Sequence, residues 1–89
     1  MNEQYLQKKI TKYLEDKGCY VVKVITANKS GVPDILFCMD GKFNAIEVKA
    51  PGKLYNLSKL QAHHINLINN TGGLAIVADS MELVKQKFH

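Results

Sequence analysis

The stretch Gly31-Val32-Pro33-Asp34-Ile35-Leu36-Phe37-Cys38-Met39-Asp40-Gly41-Lys42-Phe43-Asn44-Ala45-Ile46-Glu47-Val48-Lys49 decides the fold. Two strand-like runs, 34–39 and 43–49, flank Asp40-Gly41, a dipeptide that readily takes the left-handed conformations of a two-residue hairpin turn. Such a loop sets Met39 against Lys42, and counting back pairs Cys38 with Phe43, Leu36 with Ala45 and Asp34 with Glu47. Two carboxylates then stand opposite each other. Directly opposed Cβ atoms lie ~4.5–5.5 Å apart, and like charges there destabilise a sheet, so a cation is expected nearby. Side chains alternate along a strand, so Lys49 shares the face of Glu47, Ala45 and Phe43, while Ile46 and Val48 point into apolar surroundings.

Upstream, residues 2–17 place Leu6, Ile10, Tyr13 and Leu14 on one helical stripe that stops at Gly18, and Tyr20 to Thr26 reads as a valine-rich strand. Downstream, Ala50-Pro51-Gly52 opens a polar stretch containing Lys53 and Tyr55. Ser58-Lys59-Leu60-Gln61 has the form of a capping box, and its helix runs to about Asn70 before Gly72-Gly73. Leu74 to Ala78 reads as a short buried strand, and Asp79-Ser80-Met81-Glu82 begins a terminal helix. The order is α-β-β-β-α-β-α. A strand that enters through a helical crossover predicts an α/β fold, with a mixed sheet flanked by helices.

Asp34 and Glu47 can supply oxygens to a divalent cation such as Mg²⁺, with Lys49 beside them to hold a phosphate or an attacking water. The plain alternative is a solvated cluster in which Lys49 merely neutralises Glu47. An isolated E-x-K carries little information, and the specificity lies in its combination with Pro33-Asp34 across an independent turn signal. Glu3 heads the core-facing stripe of the first helix, where it serves either the helix dipole or the acidic pair as a third ligand. Gln61 and His64 sit on the apolar stripe of the second helix. Gln61 completes the capping box or supports the site, and His64 reads as a core histidine. No zinc-ligand spacing links Cys19, Cys38, His63, His64 and His89, and both cysteines read as reduced core residues.

At 89 residues the chain has room for one core, and residues 1–89 are expected to form one domain. An apolar fraction of 46% places it among folding sequences rather than disordered ones. No apolar run has the length of a membrane span, and the first ten residues lack a signal-peptide core, which predicts a cytoplasmic protein. The formal charge is +4, and every one of the 12 basic residues is lysine. Lysine is a point charge suited to phosphate, whereas the bidentate fork that reads guanine belongs to arginine. Lys23, Lys29, Lys53 and Lys59 flank the carboxylate end and are expected to bind a nucleic-acid backbone.

Gly31-Val32-Pro33-Asp34, Glu47-Val48-Lys49, an early helical Glu3 with Gln7, and Gln61 in the following helix together resemble the VRR-NUC family of the PD-(D/E)XK nuclease superfamily. The resemblance spans residues 3 to 78. It implies a restriction-endonuclease-like α-β-β-β-α-β core, Mg²⁺ or Mn²⁺ dependence, and phosphodiester hydrolysis by metal-activated water. By the same resemblance Asp34, Glu47, Glu3 and the Val48 carbonyl are metal ligands. Lys49 orients water and stabilises phosphate charge, and Gln61 supports Lys49 or the activated water. Small stand-alone members of this kind resemble Holliday-junction resolvases of bacteria and phages, which implies branched DNA as partner and the cytoplasm of a bacterial or phage-infected cell. Flap or single-strand nicking, and a non-catalytic nucleic-acid-binding subunit, are the alternatives. The terminal helix carries Met81, Leu83, Val84 and Phe88, more apolar surface than a short end helix readily buries on its own sheet. Together with the two incisions that symmetric resolution needs, this predicts a homodimer.

Overall fold

The computed structural model describes residues 2–89. Helix α1 (Glu3–Asp16) starts at Asn2, whose side chain accepts from the Tyr5 N–H at 2.8 Å, and it buries Leu6, Gln7, Ile10 and Leu14 along one stripe. It leads into β1 (Tyr20–Lys23), β2 (Ile35–Met39) and β3 (Lys42–Val48). The crossover helix α2 (Lys59–Asn70), β4 (Leu74–Ala78) and α3 (Met81–Lys87) complete the chain. The sheet order is β1-β2-β3-β4, antiparallel except for the parallel β3–β4 pair that the α2 crossover produces.

Asp40 and Gly41 both have positive φ, 55° and 76°, as the two-residue hairpin turn requires. The register is the one this turn dictates: Met39 faces Lys42, Cys38 faces Phe43 and Leu36 faces Ala45. One further step sets Asp34 against Glu47. The sheet thereby acquires two unlike faces. Ile35, Phe37, Ile46, Val48 and Ala78 form a core with Leu6, Ile10 and Leu14 of α1 and Val84 and Phe88 at the chain end. On the other face α2 packs over β3 and β4, and none of its residues is fully buried. The β1–β2 half of that face stays open, with Tyr20 and Val22 exposed beside Phe43 at the start of β3.

Three expectations are corrected by these contacts. Strand β1 ends at Lys23 rather than Thr26, because its partner strand begins at Ile35 and the last pairing bond runs from the Val24 N–H to the Asp34 carbonyl at 2.8 Å. Ile25, beyond that bond, is 90% exposed. Cys38 is exposed on the open sheet face rather than buried, whereas Cys19 packs against the core. The terminal helix buries more of its apolar surface than expected, with Met81 and Leu83 partly buried against the core. Val84 and Phe88 are buried, the Phe88 ring meets Phe37 edge-on at 4.8 Å, and the Tyr13 hydroxyl donates to the Phe88 carbonyl at 2.8 Å. α3 thus packs on this chain's own core.

Candidate active site

The carboxylate end of the hairpin is assembled by backbone pairing. Asp34 Oδ2 accepts from the Val48 N–H at 2.8 Å, while the Asp34 carbonyl accepts from Val24. Asp34 is therefore held by strands on both sides. Glu47, almost wholly buried in the middle of the sheet, lies within hydrogen-bonding reach of Asp34. Burial pushes the Glu47 carboxyl up to about 8, with the Asp34 charge and contact as the next causes, and neighbouring Lys49 only partly opposes them. A smaller upward push comes from the charge of Glu3, which places the start of α1 near the same pair.

Lys49 is buried as well, its ammonium 3.8 Å from Glu47 Oε2 and 3.0 Å from Gln61 Oε1. Gln61 ties the group together. Its Oε1 also accepts from the Ser58 N–H at 3.0 Å, its own N–H donates to Ser58 Oγ at 3.1 Å, and its Nε2 donates to Glu47 Oε2 at 3.3 Å. The two roles considered for Gln61, capping α2 and supporting the site, are filled at once by one amide. Reversing that amide would turn its NH₂ against the Lys49 ammonium, so the network fixes its orientation.

The approach of α2 depends on Gly31. Its φ is +85°, and an added Cβ would lie 2.8 Å from Leu60 Cγ and 3.0 Å from the Leu60 backbone carbonyl carbon and oxygen. The loop before Asp34 and the first turn of α2 can touch only because residue 31 has no side chain. Gln7, buried one turn after Glu3, is a polar residue that sequence reading left without a role, although its place on the apolar stripe of α1 marked it. His64 is half-buried and His63 exposed, on α2.

The flanking lysines are all exposed. Lys23 ends β1 beside the Val24–Asp34 bond, Lys29 lies in the loop before Asp34, Lys53 follows Gly52, and Lys59 is the first residue of α2. Among the described residues none of these four is ion-paired.

Among the described residues no group of three His, Cys, Asp or Glu side chains stands together as a metal cage. The donor chemistry nevertheless fits a hard divalent cation. Glu47, pushed up by burial and by the facing Asp34, is short of positive charge, and oxygen ligands are those Mg²⁺ and Mn²⁺ prefer. Val48 can contribute only its carbonyl, since its side chain lies in the core.

An acidic pair, a buried lysine two residues on, and a glutamine from the crossover helix, set on an α-β-β-β-α-β core, define a restriction-endonuclease-like domain. Its sequence matches the profile of the VRR-NUC domain over residues 2–82. A solved structure described as a VRR-NUC domain superposes with a TM-score of 0.77 at 25% identity, covering 94% of this chain and 90% of that one. A search of curated proteins finds no match. The chain belongs to the VRR-NUC family and is a nuclease-type domain. Among the described residues no helix is long and apolar enough to cross a membrane.

Proposed function

We propose that residues 1–89 act as one domain that is a metal-dependent endonuclease, hydrolysing phosphodiester bonds in branched DNA of the Holliday-junction type within a bacterial or phage-infected cell. The observation that carries this reading is the buried Asp34–Glu47 pair with the Lys49 ammonium fixed beside it by Gln61. Asp34 and Glu47 would hold Mg²⁺ or Mn²⁺, joined by the Val48 carbonyl and Glu3. The cation, when bound, supplies Lewis acidity that makes hydroxide available near neutral pH and offsets charge building on the phosphate. Lys49 donates hydrogen bonds toward a phosphate oxygen and the attacking water, and its burial strengthens that interaction by excluding solvent. Gln61 keeps Lys49 and Glu47 in register, and Lys23, Lys29, Lys53 and Lys59 hold the DNA backbone.

Cleavage of both opposing strands of a junction needs two sites, which a two-fold dimer provides. An apolar surface that a second copy could cover is the open sheet face beside α2, where Tyr20, Val22, Leu36, Cys38 and Phe43 line a recess of about 240 Å³.

Labelled junction, flap, duplex and single-strand substrates tested with Mg²⁺, Mn²⁺ or excess chelator decide among the readings. Paired incisions in the junction, absent in chelator, are expected. Preference for flaps or single strands would shift the substrate, and binding without cleavage under every condition would make the chain a nucleic-acid-binding subunit. Sedimentation with and without junction DNA tests the dimer.

A further inference from the structure

Between β3 and α2 the chain leaves the sheet and returns to the point of departure. Lys49 at the end of one arm and Gln61 at the start of the other are bonded at 3.0 Å, so residues 50–58 form a loop whose neck is the candidate site itself. The loop is held in shape. The Lys53 N–H donates to the Ala50 carbonyl and the Asn56 N–H to the Lys53 carbonyl, both at 2.9 Å, and the Gly52 N–H is tied to Asp79 Oδ2 at 2.9 Å. Gly52 takes φ +80°, which the turn requires.

At the tip of this fixed loop stands Tyr55, 77% exposed, with Leu54 beside it also exposed. Among the described residues its hydroxyl accepts a hydrogen bond from the Lys53 ammonium at 3.3 Å, which lies 5.8 Å from the ring centre. The cation thus lies nearer the hydroxyl rim than the centre of the ring. Tyr55 is three residues from Ser58, so its Cα lies within about 10 Å of the capping residue that holds Gln61. Stacked bases rise about 3.4 Å per step, so a ring this close to the neck of the loop can address a base a few nucleotides from the site.

We propose that Tyr55 is a stacking platform for an unpaired base next to the cleavage position, with Lys53 holding the adjoining phosphate. The proposal rests on the nuclease reading and names a determinant of its substrate. In continuous duplex the bases are stacked on one another and hidden from an aromatic ring at the surface. At a branch point or single-stranded end they are free to stack on it. The preordered loop loses little conformational freedom on binding, so the contact contributes fully to discrimination between DNA shapes.

The test uses the full chain in excess chelator, so that binding is read without cleavage. Junction, flap and duplex DNA carry 2-aminopurine at each of the three nucleotides beside the branch, or at matched duplex positions. Wild type and Tyr55→Phe are expected to quench the probe at one of these positions in branched DNA. Tyr55→Ala should not quench it and should lose about 5- to 150-fold in affinity for branched DNA, with duplex affinity unchanged. Tyr5→Ala, which removes another exposed tyrosine near a lysine on α1, should leave both readouts unchanged. Absence of quenching by wild type, equal losses for branched and duplex DNA, or unaltered binding by Tyr55→Ala would overturn the platform. Failure of wild type to cleave any substrate in Mg²⁺ or Mn²⁺, with quenching intact, would instead overturn the nuclease reading.

Discussion

Asp34 accepts the backbone N–H of Val48 at 2.8 Å, so its carboxylate is fastened to the strand that carries its opponent Glu47. The repulsion between the two acids therefore cannot be relieved by letting Asp34 swing away. It must be met by a proton or by a cation.

Asp34→Asn and Glu47→Gln are expected to remove more than about 100-fold of cleavage while the fold survives, because each would delete a charged oxygen ligand of the proposed metal and keeps the shape of the side chain. Stability without metal should stay level or rise at pH 8. Calorimetric titration with Mn²⁺ should show lost binding in both variants. Wild-type turnover in either would remove that residue from the site.

The metal-free protein should lose stability as pH rises from about 4.5 to 8, by way of Glu47. A carboxyl raised on folding binds its proton more tightly in the folded chain. Its contribution is complete below the unfolded value near 4.5 and disappears through the folded value near 8. Urea unfolding of wild type and Glu47→Gln in chelator at intervals across this range isolates the effect. The gap between them should move in favour of the variant as pH climbs, and saturating Mg²⁺ should cancel the trend. A constant gap would show that folding does not raise the Glu47 carboxyl.

Lys49→Met should keep metal binding and lose about 10²–10³ in rate, since in the proposed site the ammonium would stabilise phosphate charge and would not be a ligand. The same change removes a neighbouring charge that favours ionised Glu47, so the pH at which metal begins to bind should rise. Metal titrations at several pH values measure that displacement. Unchanged turnover at saturating metal would exclude Lys49 from the reaction.

Gly31→Ala is expected to destabilise the chain by about 1–3 kcal/mol and to lower cleavage, because the new methyl meets the backbone of Leu60 and pushes away the helix that carries Gln61. Gly18→Ala provides the comparison. Gly18 has nearly the same φ, +86°, with nothing within 4 Å of the added atom, so it isolates the conformational share. Equal losses in urea unfolding would show that the contact with Leu60 is unimportant.

Affinity for duplex DNA should fall with a log–log salt slope of about −0.9 per phosphate neutralised, and each substitution of Lys23, Lys29, Lys53 or Lys59 by Ala should reduce the slope by about one. Fluorescence anisotropy from 50 to 300 mM salt, about the useful range for such a slope, gives the count. A slope unmoved by all four substitutions would place the DNA elsewhere.

The hairpin was legible because its information is local. Asp40-Gly41 specifies the turn, the turn specifies the register, and the register brings Asp34 to Glu47 with no need to know the rest of the molecule. Gln61 was legible for the same reason, through the four-residue signature that starts α2. What sequence did not reveal was which layer covers which apolar stripe. Periodicity identified an apolar side on α3, but its burial depends on Phe37 and on Tyr13, the latter bonded to a residue 75 positions away. Cys38 was misplaced because alternation tells which side a strand residue takes and not whether that side is covered. The length of β1 was overestimated because valines continue past the point where its partner strand ends.

Gln61 occupies the third position of α2 and simultaneously bonds Lys49, Glu47 and the backbone of Ser58. Helix ends fray, and proteins open locally long before they unfold. Unwinding the first turn of α2 would carry the Gln61 amide off with it, leaving a buried ammonium and a buried carboxyl without their shared partner. Helix initiation and site assembly are consequently one equilibrium, and hydrogen exchange at the Ser58 and Gln61 amides reports how often the site comes apart. The working lifetime of the assembled site is the lifetime of a single helical turn.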